Sequence, residues 1–211
     1  MGRPDASSSG LLPGASLLAT QVFSPASRGD LVADAMVFAS ALDWLTQQDV
    51  HVVNLSLAGH DNLLMRLAVT RAAARGVVMV AAAGNAGPGA GPVYPAAYPA
   101  VLAVSAVDAR RKPDPAGNRG DYIAFAAPGV QVWVPTADGG RFYSGSSFAA
   151  SFVTAAIVSE LMAGLPPDRA QLEKKLAADA IDLGRVGRDP IFGWGLLQAR
   201  PLCDTASALA P

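Results

Sequence analysis

In the C-terminal half of the sequence, the run Tyr143-Ser-Gly-Ser-Ser-Phe-Ala-Ala-Ser151 opens a long apolar stretch of helical composition. A serine on the first turn of a helix lies beside backbone N–H groups that have no intrahelical partner, at the positive end of the helix dipole. In that setting the hydroxyl of Ser147 can attack a carbonyl carbon while its own N–H faces the developing oxyanion. Gly145 keeps the approach clear of a side chain. The chemistry would be acyl transfer, which also needs a base to take the serine proton and an acid to orient that base. Taken alone, Gly-Ser-Ser ahead of a helix equally reads as an N-cap.

These groups must be held by the elements around them. The sequence predicts a strand over 16–23 after the Pro13-Gly14 turn. A helix comes next over 31–47, with Val32, Ala35, Met36, Ala39, Leu42 and Leu45 on one stripe and Asp30 as its N-cap. Residues 50–55 are β-branched and read as a strand, and 62–75 as a helix stopped by Gly76. The continuous apolar run 76–83 suits a parallel strand covered on both faces, and 100–107 repeats it. Shorter strands are expected over 122–125 and 130–134, the long helix over 147–162, and a last helix from an Asp168 cap to about residue 178. The Gly- and Pro-rich tail from Leu183 is expected to pack over the surface. Alternating strands and helices imply an α/β fold: one domain over 1–211, in three layers, with a doubly wound, mostly parallel sheet and helices on both faces. Functional loops in such sheets gather beyond the carboxyl ends of the strands, here Asn54-Leu-Ser-Leu-Ala-Gly59 and Ala81-Ala-Ala-Gly-Asn-Ala-Gly87.

Three segments, Val53-Asn-Leu-Ser-Leu-Ala-Gly59, Val80-Ala-Ala-Ala-Gly-Asn-Ala-Gly87 and Gly145-Ser-Ser-Phe-Ala149, occur in order. With the stretch from Tyr94-Pro to Val107 and with Phe125-Ala-Ala-Pro-Gly129, they closely resemble the subtilisin-like serine peptidases, over about residues 10–199. The resemblance implies a subtilisin-like fold and peptide-bond hydrolysis through an acyl-enzyme on Ser147. It implies that the Asn85 side-chain amide joins the Ser147 N–H in the oxyanion hole; without the other motifs, Asn85 would read as a turn residue. It also implies that Ser56, Leu57, Ala58 and Gly59 pair with substrate backbone, with Ala82, Ala83 and Gly84 forming the opposite wall of the first specificity pocket. Val93 falls where many relatives have glycine at the pocket base, which implies a shallow pocket for small or medium apolar residues. Calcium stabilises many members, but no acidic loop cluster here presents ligands; no metal ligand and no cofactor are assigned.

The resemblance breaks more deeply elsewhere. Neither an Asp-Thr/Ser-Gly motif nor a His-Gly-Thr motif occurs, so the family's acid and base are missing, and residues 9–20 resemble the family's segment just C-terminal to the histidine motif. The chain is therefore expected to be a domain incomplete at its N-terminus and inactive alone. His51 opens a strand and reads as an edge or structural residue, while His60 matches a substrate-side loop; neither fits the base. Ala150-Ser-Phe152 stands where the family has Ser/Thr-Pro-His. A non-catalytic domain that binds peptides through 56–59 and 82–84 is the alternative, whereas an α/β-hydrolase elbow is excluded because no Gly-x-Ser-x-Gly comes after a strand.

Composition narrows the partners. Of 211 residues 51% are hydrophobic and 16% charged, with a formal charge of −1. That suits a globular chain and offers no field for nucleic acid. The longest apolar stretch, 76–84, is far shorter than the roughly 20 residues of a membrane span. The expected partner is a peptide or protein substrate, with oligomeric state left open. The first ten residues lack the apolar core of a secretory signal, while the family resemblance implies a secreted or periplasmic location. Cys203 is the only cysteine, read as a plain thiol in preference to half of a bridge with sequence outside the chain. Arg28-Gly29-Asp30 reads as a loop leading to a helix cap and not as an adhesion motif.

Overall fold

The computed structural model describes residues 10–25, 31–136 and 139–198. In chain order, β1 (Phe23–Pro25) pairs antiparallel with β2 (Leu31–Ala33) and leads to helix α1 (Ala35–Gln47). Then come β3 (Val52–Leu55), α2 (Leu63–Ala74), β4 (Val78–Ala82), β5 (Val101–Val107) and β6 (Ile123–Pro128). A hairpin of β7 (Val132–Val134) and β8 (Arg141–Tyr143) precedes the long α3 (Ser146–Met162) and the final α4 (Arg169–Asp179).

The strands β3-β4-β5-β6 form one sheet in that order, all parallel. Every residue of β4 and β5 is buried, because the sheet is covered on both sides. The two-residue period of a strand then sends alternate side chains to opposite layers. Val78, Val80, Leu102, Val104 and Ala106 pack in one core with Val153, Ile157, Leu172 and Leu176 of α3 and α4. Met79, Ala81, Val101 and Ala103 pack in the other with Phe38 and Leu42 of α1 and Met65 and Val69 of α2. This is the expected three-layer, subtilisin-like α/β architecture. The β4–β5 and β5–β6 connections carry loops in place of helices, and those loops build the site.

Several boundaries differ from expectation for local reasons. Residues 16–22 form no strand, and Leu17 is 69% exposed. A strand-forming sequence needs a neighbour to pair with, and these residues have none among those described. Helix α1 begins at Ala35, not at residue 31, because 31–33 pair with β1. Its cap is Asp34, whose carboxylate accepts the N–H groups of Met36 and Val37 at 2.7 and 3.3 Å; Asp30 lies outside the described residues. The buried face of α1 runs through Phe38, Leu42 and Thr46, leaving Met36 exposed. Residues 132–134 leave the main sheet for the hairpin, whose second strand is too short to read from sequence. The last helix begins as expected, with the Asp168 carboxylate accepting the Gln171 N–H at 2.7 Å.

The tail does more than cover surface. Residues 193–197 run along the outer edge of β6, where Trp194 N–H donates to Ala124 O at 2.8 Å. Ala126 N–H donates to Gly195 O, and Leu197 N–H to Ala126 O, both at 2.9 Å. Gly193, at φ +61°, touches β6 so closely that a Cβ would collide with the Ala124 carbonyl. At the opposite edge β3 has no outer neighbour among the described residues. An unpaired strand edge is a template for pairing. The isolated chain is expected to associate in sedimentation velocity as its concentration rises; a concentration-independent monomer with a sharp unfolding transition would contradict this.

Candidate active site

Ser147 sits on the first turn of α3, half-buried, one residue after Ser146. The N-cap is Gly145, which provides no side-chain cap bond. The serines therefore do not serve as the cap that the Gly-Ser-Ser composition alone suggests. Ser146, 1% exposed, instead turns its hydroxyl toward the loop after β4.

That loop carries Asn85. Its Oδ1 accepts both the Ser146 N–H and the Ser146 hydroxyl, each at 2.9 Å. The Ser146 Oγ in turn accepts the Gly84 N–H at 3.1 Å. Two donors converging on one side-chain oxygen fix which way the amide faces. Asn85 Nδ2 is thus left without a protein partner among the described residues, lying near Gly145, where an added Cβ would be 3.2 Å away. No backbone bond among those residues takes the Ser147 N–H. No side chain among them bonds the Ser147 hydroxyl. An exposed amide donor, an unpaired N–H at a helix N-terminus and a free hydroxyl are brought together where α3 meets the β4–β5 loop.

The β3 end is stitched to the same helix. Asn54 Nδ2 donates to Ser56 Oγ at 2.9 Å, and Thr154 Oγ1 to Asn54 Oδ1 at 3.3 Å. The Ser56 hydroxyl reaches Ser147 O at 3.4 Å. Beyond β3, Leu57 and Ala58 make no backbone hydrogen bonds among the described residues, whereas Gly59 pairs with Tyr94 in both directions at 2.8 and 2.9 Å. On the other side Ala82, Ala83 and Gly84 are buried. Ala83 N–H donates to Val104 O at 2.9 Å, and Ala83 O accepts the Tyr122 hydroxyl at 2.7 Å. Burial raises the Tyr122 hydroxyl above its ordinary pKa. Backbone groups of Ala83 and Gly84 are thus occupied, whereas those of Leu57 and Ala58 are unpaired among the described residues. Val93 packs against Gly84, where a Cβ would stand 3.1 Å from Val93 Cγ2.

Around Ser147 the ring of Phe148 stacks on Tyr143 with centroids 5.5 Å apart. Helix α3 runs unbroken through Ser151 and Phe152, and the Phe152 side chain packs on the sheet core. His51 and His60 are both exposed, and neither bonds Ser147. Asp61, beside His60, is engaged by the Tyr98 hydroxyl at 2.9 Å and by Arg66. Desolvation raises the Asp61 carboxyl, but the bonds from Tyr98 and Arg66 outweigh it and hold the group below the usual carboxylate value. Among the described residues no cluster of three or more His, Cys, Asp or Glu is gathered to hold a metal, and no helix is long and apolar enough to cross a membrane.

Two residues that shape this site carry no sequence signal. Asn118 and Tyr122 lie in the β5–β6 loop and reach the Asn85 loop only through the fold.

A parallel sheet between helical layers, with a long helix opening on a serine at one end, is an arrangement of the serine-peptidase type, and comparison with known proteins gives the family. The family model described as "Subtilase family" matches residues 1–195, and the chain belongs to that family. It is 32% identical over 205 residues to the minor extracellular protease Epr of Bacillus subtilis (strain 168), covering 95% of this chain and 31% of that protein. It is 33% identical over 181 residues to subtilisin DY of Bacillus licheniformis, covering 83% and 64%. The chain thus spans less than two thirds of either relative. Among solved structures, the prenylagaramide maturation protease PagA superposes with a TM-score of 0.80 at 23% identity, over 96% of this chain and 78% of that one, a likeness of fold. Fervidolysin from Fervidobacterium pennivorans, a keratinolytic enzyme related to subtilisin, gives 0.70 at 28% identity, over 81% and 29%.

Proposed function

We propose that this chain supplies the nucleophile and oxyanion half of a serine endopeptidase acting on extended peptide or protein segments. Ser147 Oγ attacks the scissile carbonyl, and the oxyanion is received by the Ser147 N–H and Asn85 Nδ2. The substrate backbone lies along Ser56, Leu57, Ala58 and Gly59, against the wall of Ala82, Ala83 and Gly84. Val93 at the base selects a small or medium apolar side chain. The observation that carries this reading is the Asn85 amide, whose oxygen is held by both Ser146 donors so that its nitrogen faces outward. The family and the extracellular relative support action outside the cytoplasm.

With no base beside Ser147 among the described residues, the chain alone is expected not to cut peptides. The test supplies one. A fluorophosphonate probe is applied with and without free imidazole: Oγ bonds to phosphorus, fluoride leaves and imidazole takes the proton. Positioned general bases contribute about 10²–10⁴-fold, and a freely diffusing one recovers only part of that. Labelling of Ser147, located by mass spectrometry, is expected to be negligible alone and to rise about tenfold or more with imidazole. Ser147→Ala should abolish it. A second reading, a peptide-binding domain without catalysis, is favoured by the unpartnered Ser147 hydroxyl. Peptide binding with no imidazole-dependent labelling would select it.

A further inference from the structure

Asn85 is exposed on a loop flanked by Gly84 and Gly87, so its side chain can be aimed only if the backbone beneath it is fixed. We propose that Asn118 is the positioning residue that fixes it, acting through Asn85 and touching no substrate. The proposal rests on the reading of Asn85 as an oxyanion donor.

Asn118 is 2% exposed and straddles the loop. Its backbone N–H donates to Gly84 O at 3.1 Å, on one side of Asn85. Its Oδ1 accepts the Ala86 N–H at 2.8 Å, on the other side. Its Nδ2 donates to Gly91 O at 3.3 Å, farther along the same loop. Nearby, Gly87 N–H donates to Ala116 O at 2.8 Å. The residues before and after Asn85 are therefore both tied to one buried side chain or its backbone. An apolar filler of equal size would leave the Ala86 N–H without its acceptor, so packing alone does not account for an amide here. Ser146 then completes the geometry from the opposite side by holding Asn85 Oδ1. Asn118 holds the main chain and Ser146 the side chain.

The test is a double-mutant cycle on imidazole-dependent labelling of Ser147, with an NMR arm that needs no activity. Asn118→Ala is expected to slow labelling about 10-fold or more where Asn85 is present, and less than about twofold in the Asn85→Ala background, because groups acting as a unit are non-additive. Equal losses in both backgrounds would show a structural role alone and overturn the proposal. In ¹⁵N spectra, Asn118→Ala should shift or broaden the Asn85 side-chain NH₂ pair, identified by its loss in Asn85→Ala, and remove hydrogen-exchange protection at the Ala86 amide. Unchanged signals would overturn it as well. If Asn118→Ala fails to fold, Asn118→Asp retains the acceptor and should keep Ala86 protected and the Asn85 pair in place; loss of both refutes the proposal. Absence of imidazole-dependent labelling in the unsubstituted chain counts against the peptidase reading, and the NMR arm still decides the role of Asn118.

Discussion

Asn85→Ala is expected to lower imidazole-dependent modification of Ser147 by about 10²–10³-fold, which corresponds to roughly 3–4 kcal/mol of lost transition-state stabilisation. The effect is large because the donor is set before the reaction begins: Ser146 pins the amide oxygen from two directions, so no reorganisation accompanies charge development. The Ser147 N–H would remain as the other donor, which is why the loss is not total. Stability should fall by about 1–3 kcal/mol, because the buried Ser146 N–H and hydroxyl lose the acceptor they share. Rate constants for phosphonylation and a thermal melt, measured on the same preparation, check both halves. A loss of rate below threefold in the folded variant would end the oxyanion assignment.

Gly84→Ala should damage both stability and the site. Gly84 sits at φ +105°, a region that side chains rarely adopt. A Cβ there would stand 2.7 Å from Asn118 Nδ2 and 3.1 Å from Val93 Cγ2. Backbone strain of this kind costs about 1–3 kcal/mol, and overpacking adds a similar amount. We expect a loss of about 3 kcal/mol in urea unfolding, accompanied by slower Ser147 modification as Asn118 is pushed off Ala86. Unfolding within about 1 kcal/mol of the parent would mean that the loop yields, and that its geometry is softer than the close packing implies.

The sheet was legible because a parallel strand buried on both faces is apolar at every position, and residues 78–82 and 101–107 are nearly so. The cap at Asp168 depends on one side chain and the next turn, and lies where its composition says. Pairing is what the sequence withheld. The run 16–23 has strand composition, yet only Phe23 finds a neighbour; 31–33 looks helical beside α1 but pairs with β1. Ser147 and Asn85 stood out through motif resemblance. Asn118 and Tyr122 did not, because their work is done across 32 and 39 positions of sequence, a separation no local pattern records. The Ser146 hydroxyl was hidden differently: its composition suits a helix cap, and only the loop opposite gives it another partner.

The two margins of the main sheet are unlike. The β6 margin is sealed by the chain's own residues 193–197, and the β3 margin is bare among the described residues. A sheet with two bare margins can grow without limit, copy after copy. With one margin sealed, two molecules can join only face to like face across a twofold axis, and the joint consumes the sole growing end of each. Assembly through the margins of the main sheet is therefore self-terminating: the open β3 edge beside Ser147 can take one further chain, and the joint leaves no main-sheet margin from which to grow.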